Sequence, residues 1–133
     1  MLLKSVTYQV FEQERSGPWP TDRASWHQID GQVVLNFLNG QTLFISWAKG
    51  IVQYCIQQGE QSYFSPDTLV EVPMTNHAYW LQLVGKNIDL TYRDQEQQVL
   101  VVSNAENNLF ISSQYDDGVF RGDCVRISHI NPL

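Results

Sequence analysis

Metal binding, nucleophilic attack and acid–base catalysis each need particular side chains at particular spacings, and in this 133-residue chain the three histidines come first. His27 and His77 have no second histidine or carboxylate four residues on, the spacing that sets two ligands on one helical face. His27 and Asp30 stand three apart, a single weak pair, so neither a metal nor a metal site is expected. Cys55 and Cys124 lack a Cys-x-x-Cys spacing, and the expectation for both is a buried free thiol rather than a nucleophile. No serine lies in a Gly-x-Ser-x-Gly turn, and no glycine-rich loop opens a helix to cradle phosphates. Asp116-Asp117-Gly118 has carboxylates that a cation would take, but Asp-Gly is also ordinary turn composition between strands, and the turn is the reading adopted. Glycosidase-type carboxylate pairs are not readable from spacing, because the two groups come from different strands. A protein without catalytic residues and without a cofactor is the expectation.

The carboxylates do carry a signal in their distribution. With 14 Asp plus Glu against 8 Lys plus Arg the net charge is −6 and the pI about 4.8, which leaves no basic footprint for a phosphate backbone. Residues 1–49 are balanced and residues 121–133 sum to +1, whereas residues 50–120 set nine acids against Lys86 and Arg93 alone. Such asymmetry is either a solvated face kept for solubility or a field that steers a basic partner. At 43% apolar residues the chain has the size and composition of a single domain, 1–133. It has no apolar run of membrane-spanning length. Residues 1–10 lack the basic segment and apolar core of a signal peptide, so the expected location is cytoplasmic.

The elements that must position these acids form a repeat. Residues 21–31 align without a gap on 75–85 with five of eleven identical, and residues 32–46 align on 98–112 with a shared Leu-Phe-Ile-Ser string. This predicts an internal duplication over about 21–57 and 75–128. Asp22 and Asn76 have N-cap chemistry and Gly31 and Gly85 suit left-handed ends, so each copy is expected to open with a short helix that buries Trp26 or Trp80. Period-two patterning follows, with Val33, Leu35 and Phe37 alternating before Asn39-Gly40, and Leu43, Ile45 and Trp47 after it, which predicts a hairpin. Ile88, Leu90 and Tyr92 alternate with polar residues, 99–103 pairs with 109–113, and further strands are expected at 5–11, 51–57, 68–72 and 119–128. Residues 13–21 and 58–67 are expected to be loops, which exposes Trp19, Tyr63 and Phe64 as aromatic anchors unless the loops fold back over them. The fold class expected is mainly β with two short helices (α+β as the alternative), its duplicated helix-plus-meander units forming a sandwich or an open barrel.

In length, charge, class and the helix-then-hairpin duplication around Trp26 and Trp80, the chain resembles the immunity proteins of bacterial polymorphic toxin systems, including contact-dependent growth inhibition. The resemblance implies an inhibitor that covers the active site of a cognate toxin, often a basic nuclease, with acids standing in for phosphates. On that reading the partner-binding residues are Glu60, Asp67, Glu71, Asp94, Glu96, Asp116 and Asp117, with Tyr63 and Phe64 as anchors. Gly17-Pro18-Trp19 resembles the Gly-x-Trp signature of lipocalin-like barrels, which implies a small-ligand carrier as the alternative; Pro18 and Pro20 interrupt the strand that this signature opens there. A homodimer joined through an exposed edge strand is a third expectation.

Overall fold

Alternation of apolar and polar residues becomes strand almost everywhere it occurs, and the described residues form ten strands, one turn of α-helix and two 3-10 turns, Glu12–Glu14 and Pro66–Thr68. A computed structural model describes residues 1–17, 26–50 and 53–133. In chain order the elements are β1 (Leu3–Val10), β2 (His27–Ile29), β3 (Gln32–Phe37), β4 (Thr42–Lys49), β5 (Tyr54–Gly59), β6 (Val70–Pro73), α1 (Ala78–Leu81), β7 (Asp89–Tyr92), β8 (Val99–Ser103), β9 (Asn108–Asp116) and β10 (Val119–Ser128). They form two antiparallel five-stranded sheets, ordered β5-β4-β3-β1-β6 and β2-β10-β9-β8-β7, so the fold is mainly β and sandwich-like.

The hairpin expected at Asn39-Gly40 is β3–β4, with Val33 opposite Ile45 and Leu35 opposite Leu43, and Gly40 takes a positive φ in the turn. All four of those residues and Phe37 are buried. They meet Leu100, Val102, Leu109 and Ile111 of the second sheet in one core. The connection from β5 to β6 joins opposite edges of the first sheet and therefore crosses its outer face. Gln32, fully buried, holds that crossing down: its amide nitrogen donates to Gln9 and to the Ser62 hydroxyl, and its oxygen accepts from the Tyr63 backbone N–H. Phe64 folds back edge-on to Phe11, so both loop aromatics end half-buried.

Two helix expectations need correction. Over residues 26–31 there is no helix: His27, Gln28 and Ile29 pair with Ile127, Arg126 and Val125 as the edge strand of the second sheet. His27 and Ile29 point inward and Gln28 outward, and completing an apolar sheet edge outweighs a weak local propensity for helix. Trp26 consequently lies outside the core, 43% exposed. The second helix is real but only one turn long, and its cap is His77 rather than Asn76, through the ring Nδ1 accepting from Tyr79 N–H. Trp80 is buried as expected and Gly85 has φ +82°. The first pair of aligned segments thus falls on β2 and on α1, and the second on the hairpins β3–β4 and β8–β9, so the expected duplication is not shown by the fold. Cys124 is buried, but Cys55 is only half-buried because its side chain leaves the core on a strand whose inward residue is Ile56; both are free thiols. Trp19, residues 21–25 and the first residues of the strand expected at 51–57 lie outside the described residues.

Candidate functional site

The acids fall in two groups. Glu60, Asp67 and Glu71 follow the crossing loop and β6 on the outside of the first sheet, all exposed, with Glu60 accepting from the Gln41 amide and Glu71 from the Gln9 amide. Asp94 and Glu96 lie in the β7–β8 turn, and Asp116 and Asp117 in the β9–β10 turn, and antiparallel pairing brings both turns to the same end of the second sheet. The Asp-Asp-Gly reading as a turn holds: Asp117 and Gly118 take φ of +50° and +79° between Asp116 and Val119. Within this end the acids divide again by what they touch. Asp94 accepts from the backbone N–H of Gln98 and Val99 at 3.0–3.1 Å and so closes its own turn. Asp116 accepts from the Gln114 amide, while Glu96 and Asp117 are exposed. Gln53 ties both turns to the first sheet, its oxygen accepting from the Gln98 side chain and from Phe120 N–H. Among the described residues the only ion pair is Arg15–Glu12, so none of these acids forms one, although Arg93 adjoins Asp94 and Arg121 pairs with Gln114 next to the β9–β10 turn.

Beside the acidic turns, the outer face of the second sheet is apolar. Val99, Val101, Phe110 and Phe120 form a small second core there, with Tyr115 packed on it. A surface groove of about 150 Å³ opens over this face between Trp26, Phe110, Tyr115, Arg126, Ile130 and Pro132. Arg126 lays its guanidinium 4.2 Å from the centre of the Trp26 ring and donates through Nε and Nη2 to Gln28 Oε1. Sequence reasoning missed this face. The available signal was Val99-Leu100-Val101-Val102, four apolar residues without alternation, as in strands covered on both sides.

All three histidines also come together, which their spacing concealed. His27 is 1% exposed; its ring stacks on Tyr79 at 4.2 Å and meets His77 edge-on at 4.5 Å, and Tyr79 in turn meets His129 at 4.7 Å. His27 Nδ1 hydrogen-bonds the Tyr8 hydroxyl at 2.9 Å, and Trp80 Nε1 donates to that same hydroxyl at 2.8 Å. Burial, reinforced by the neighbouring histidines, lowers the His27 pKa to about 3, and burial raises Tyr8 well above its ordinary range. His27 is buried, His77 half-buried and His129 exposed, so the cluster runs from the core to the surface. A third polar group lies where β2 leaves the sheet: burial raises the carboxyls of Glu14 and Asp30, helped by Asp30 beside the first and Asp123 beside the second. Among the described residues no three His, Cys, Asp or Glu side chains gather closely enough to hold a metal ion, and no helix is long and apolar enough to cross a membrane. No family model, curated protein or solved structure matches the chain.

Proposed function

We propose that this chain works by binding another protein, as an immunity protein binds and neutralises its cognate toxin, and that it performs no chemistry of its own. The observation that carries this reading is the end of the second sheet, to which both turns bring Asp94, Glu96, Asp116 and Asp117, outnumbering Arg93 and Arg121 of the same two hairpins and forming no ion pair with them among the described residues. A net negative field at one end of a sandwich attracts a basic surface and orients it, raising the association rate and disfavouring partners of like charge. A basic nuclease is the partner class whose active site such acids would cover. The small-ligand alternative has less support, because the space between the sheets is filled by buried side chains, among them Tyr8, Leu35, Ile45, Trp80 and Ile111. The test is capture of partners from the native cell extract on the tagged protein at low and high salt, with the bound species identified by mass. Stoichiometric retention of one basic protein, loosened by salt, is the expected result; retention of nothing, or of a partner indifferent to salt, contradicts it.

A further inference from the structure

We propose that the groove on the outer face of the second sheet binds a small aromatic carboxylate, an acid of about the size of benzoate whose ring lies in the groove and whose anion meets Arg126. This goes beyond the binding reading above and does not depend on it. Size is the first argument: about 150 Å³ is the volume of a cavity that takes one benzene ring. The walls are the second. Trp26, Phe110, Tyr115 and Ile130 line the groove, and Trp26 and Ile130 remain 43% and 64% exposed, so a bound ring would cover apolar surface that the fold itself leaves wet.

Charge is the third argument, and it selects an anion. Arg126 is the only charged residue among the described residues that line the groove. Its guanidinium lies 4.2 Å from the centre of the Trp26 ring and donates through Nε and Nη2 to Gln28 Oε1, which leaves part of its five-donor fork unspent. A planar cation already fixed on an aromatic wall is suited to a carboxylate, because little ordering remains to be done when the anion arrives. A second cation stands on the same face of the sheet. Arg126 is opposite Ser112 and Ser112 opposite Val99, whose carbonyl accepts from the Arg93 backbone N–H, and the Arg93 guanidinium lies 6.0 Å from the centre of the Phe110 ring. Neither arginine forms an ion pair among the described residues, although the chain has 14 acids against 8 Lys plus Arg. Asp94 and Asp116, which follow Arg93 and Tyr115 in the chain, do not line the groove, and both accept hydrogen bonds elsewhere, from the Gln98 and Val99 backbone and from the Gln114 amide. Because Arg126 and the aromatic walls enclose the volume of one ring, ring and anion have to belong to one compact molecule.

Benzoate, benzyl alcohol and acetate, each titrated into the ¹⁵N-labelled full chain, test this directly. Benzoate is expected to shift the Trp26 indole, Arg126 Nε–H and Ser112 amide signals saturably. It is expected to bind at least about tenfold more tightly than benzyl alcohol, which lacks the charge, or acetate, which lacks the ring. Arg126→Gln is expected to abolish the preference for benzoate over benzyl alcohol. Trp26→Ala, at an exposed position, is expected to weaken both aromatic probes, and it carries the test should Arg126→Gln fail to fold. Equal binding of benzoate and benzyl alcohol, an undiminished preference in Arg126→Gln, or undiminished benzoate binding in Trp26→Ala overturns the proposal. A blocked Asp-Phe dipeptide that binds more tightly than benzoate also overturns it, since the groove would then belong to a protein partner.

Discussion

The Tyr8 hydroxyl joins three distant parts of the chain: β1, which carries it, the edge strand β2 through His27, and α1 through Trp80. Because Tyr8 and Trp80 are both fully buried, Tyr8→Phe keeps the ring and strips Trp80 Nε1 of its acceptor. Leaving a buried donor without its partner costs about 1–3 kcal/mol, and thermal or denaturant unfolding should show a loss of that size. A neutral result would place the stabilisation in ring packing alone. His27 makes a second prediction at this scale. Its folded pKa of about 3 lies below the ordinary value near 6.5, so between those limits the unfolded chain takes up the proton and the folded chain does not. Stability attributable to His27 is complete above about pH 6.5 and is lost as the pH falls, by roughly 2 kcal/mol at pH 5. Glu14 and Asp30, whose pKa values are raised, act in the opposite sense and soften the loss. Unfolding midpoints compared at pH 7 and pH 5 check this. A midpoint that is unchanged or higher at pH 5 contradicts the burial of a neutral His27.

At the scale of elements, Gly31 and Gly85 occupy aligned positions and have the same look in the sequence, yet different physics keeps each a glycine. Gly85 holds φ +82° after α1 with open space around it, whereas a Cβ on Gly31 would overlap the Gln9 carbonyl oxygen of the neighbouring strand. Gly85→Ala should therefore cost about 1 kcal/mol for the left-handed backbone. Gly31→Ala should cost more, about 3 kcal/mol, because strands β1 and β3 have to part. Similar unfolding free energies for the two variants would refute the distinction. The pair also shows what was legible. Strands with clean alternation, the Asn-Gly hairpin and the Asp-Gly turn could be read from local chemistry, since each is decided by a few neighbouring residues. The fate of 26–31 could not, because a three-residue edge strand is decided by Val125 and Ile127, almost a hundred residues away. Of the acids, the turn positions of Asp94, Glu96, Asp116 and Asp117 were readable, but their meeting at one end depends on strand order. The groove likewise needs Trp26 beside Arg126, a contact no spacing records.

On the scale of the whole molecule, the two sheets share one apolar core, and the second carries a further apolar patch on its outside, flanked by acids. A sandwich of this kind is rigid enough to hold charges at fixed positions, which a binding protein needs if most of its affinity is not to be spent on ordering loops. The account's central claim is that the acidic end of the second sheet carries the electrostatic part of partner recognition. Glu96 and Asp117 are the acids to change, since both are exposed and neither side chain has a hydrogen bond that closes its turn. Asp117→Asn removes the charge while keeping a residue tolerant of φ +50°, and Glu96→Lys reverses one on a turn. The most direct measurement is the affinity of the double variant for the captured partner, taken across a salt series beside the wild type. The account predicts binding at least tenfold weaker at low salt, a shallower salt dependence and an unchanged melting temperature; equal affinity and an identical salt slope would contradict it.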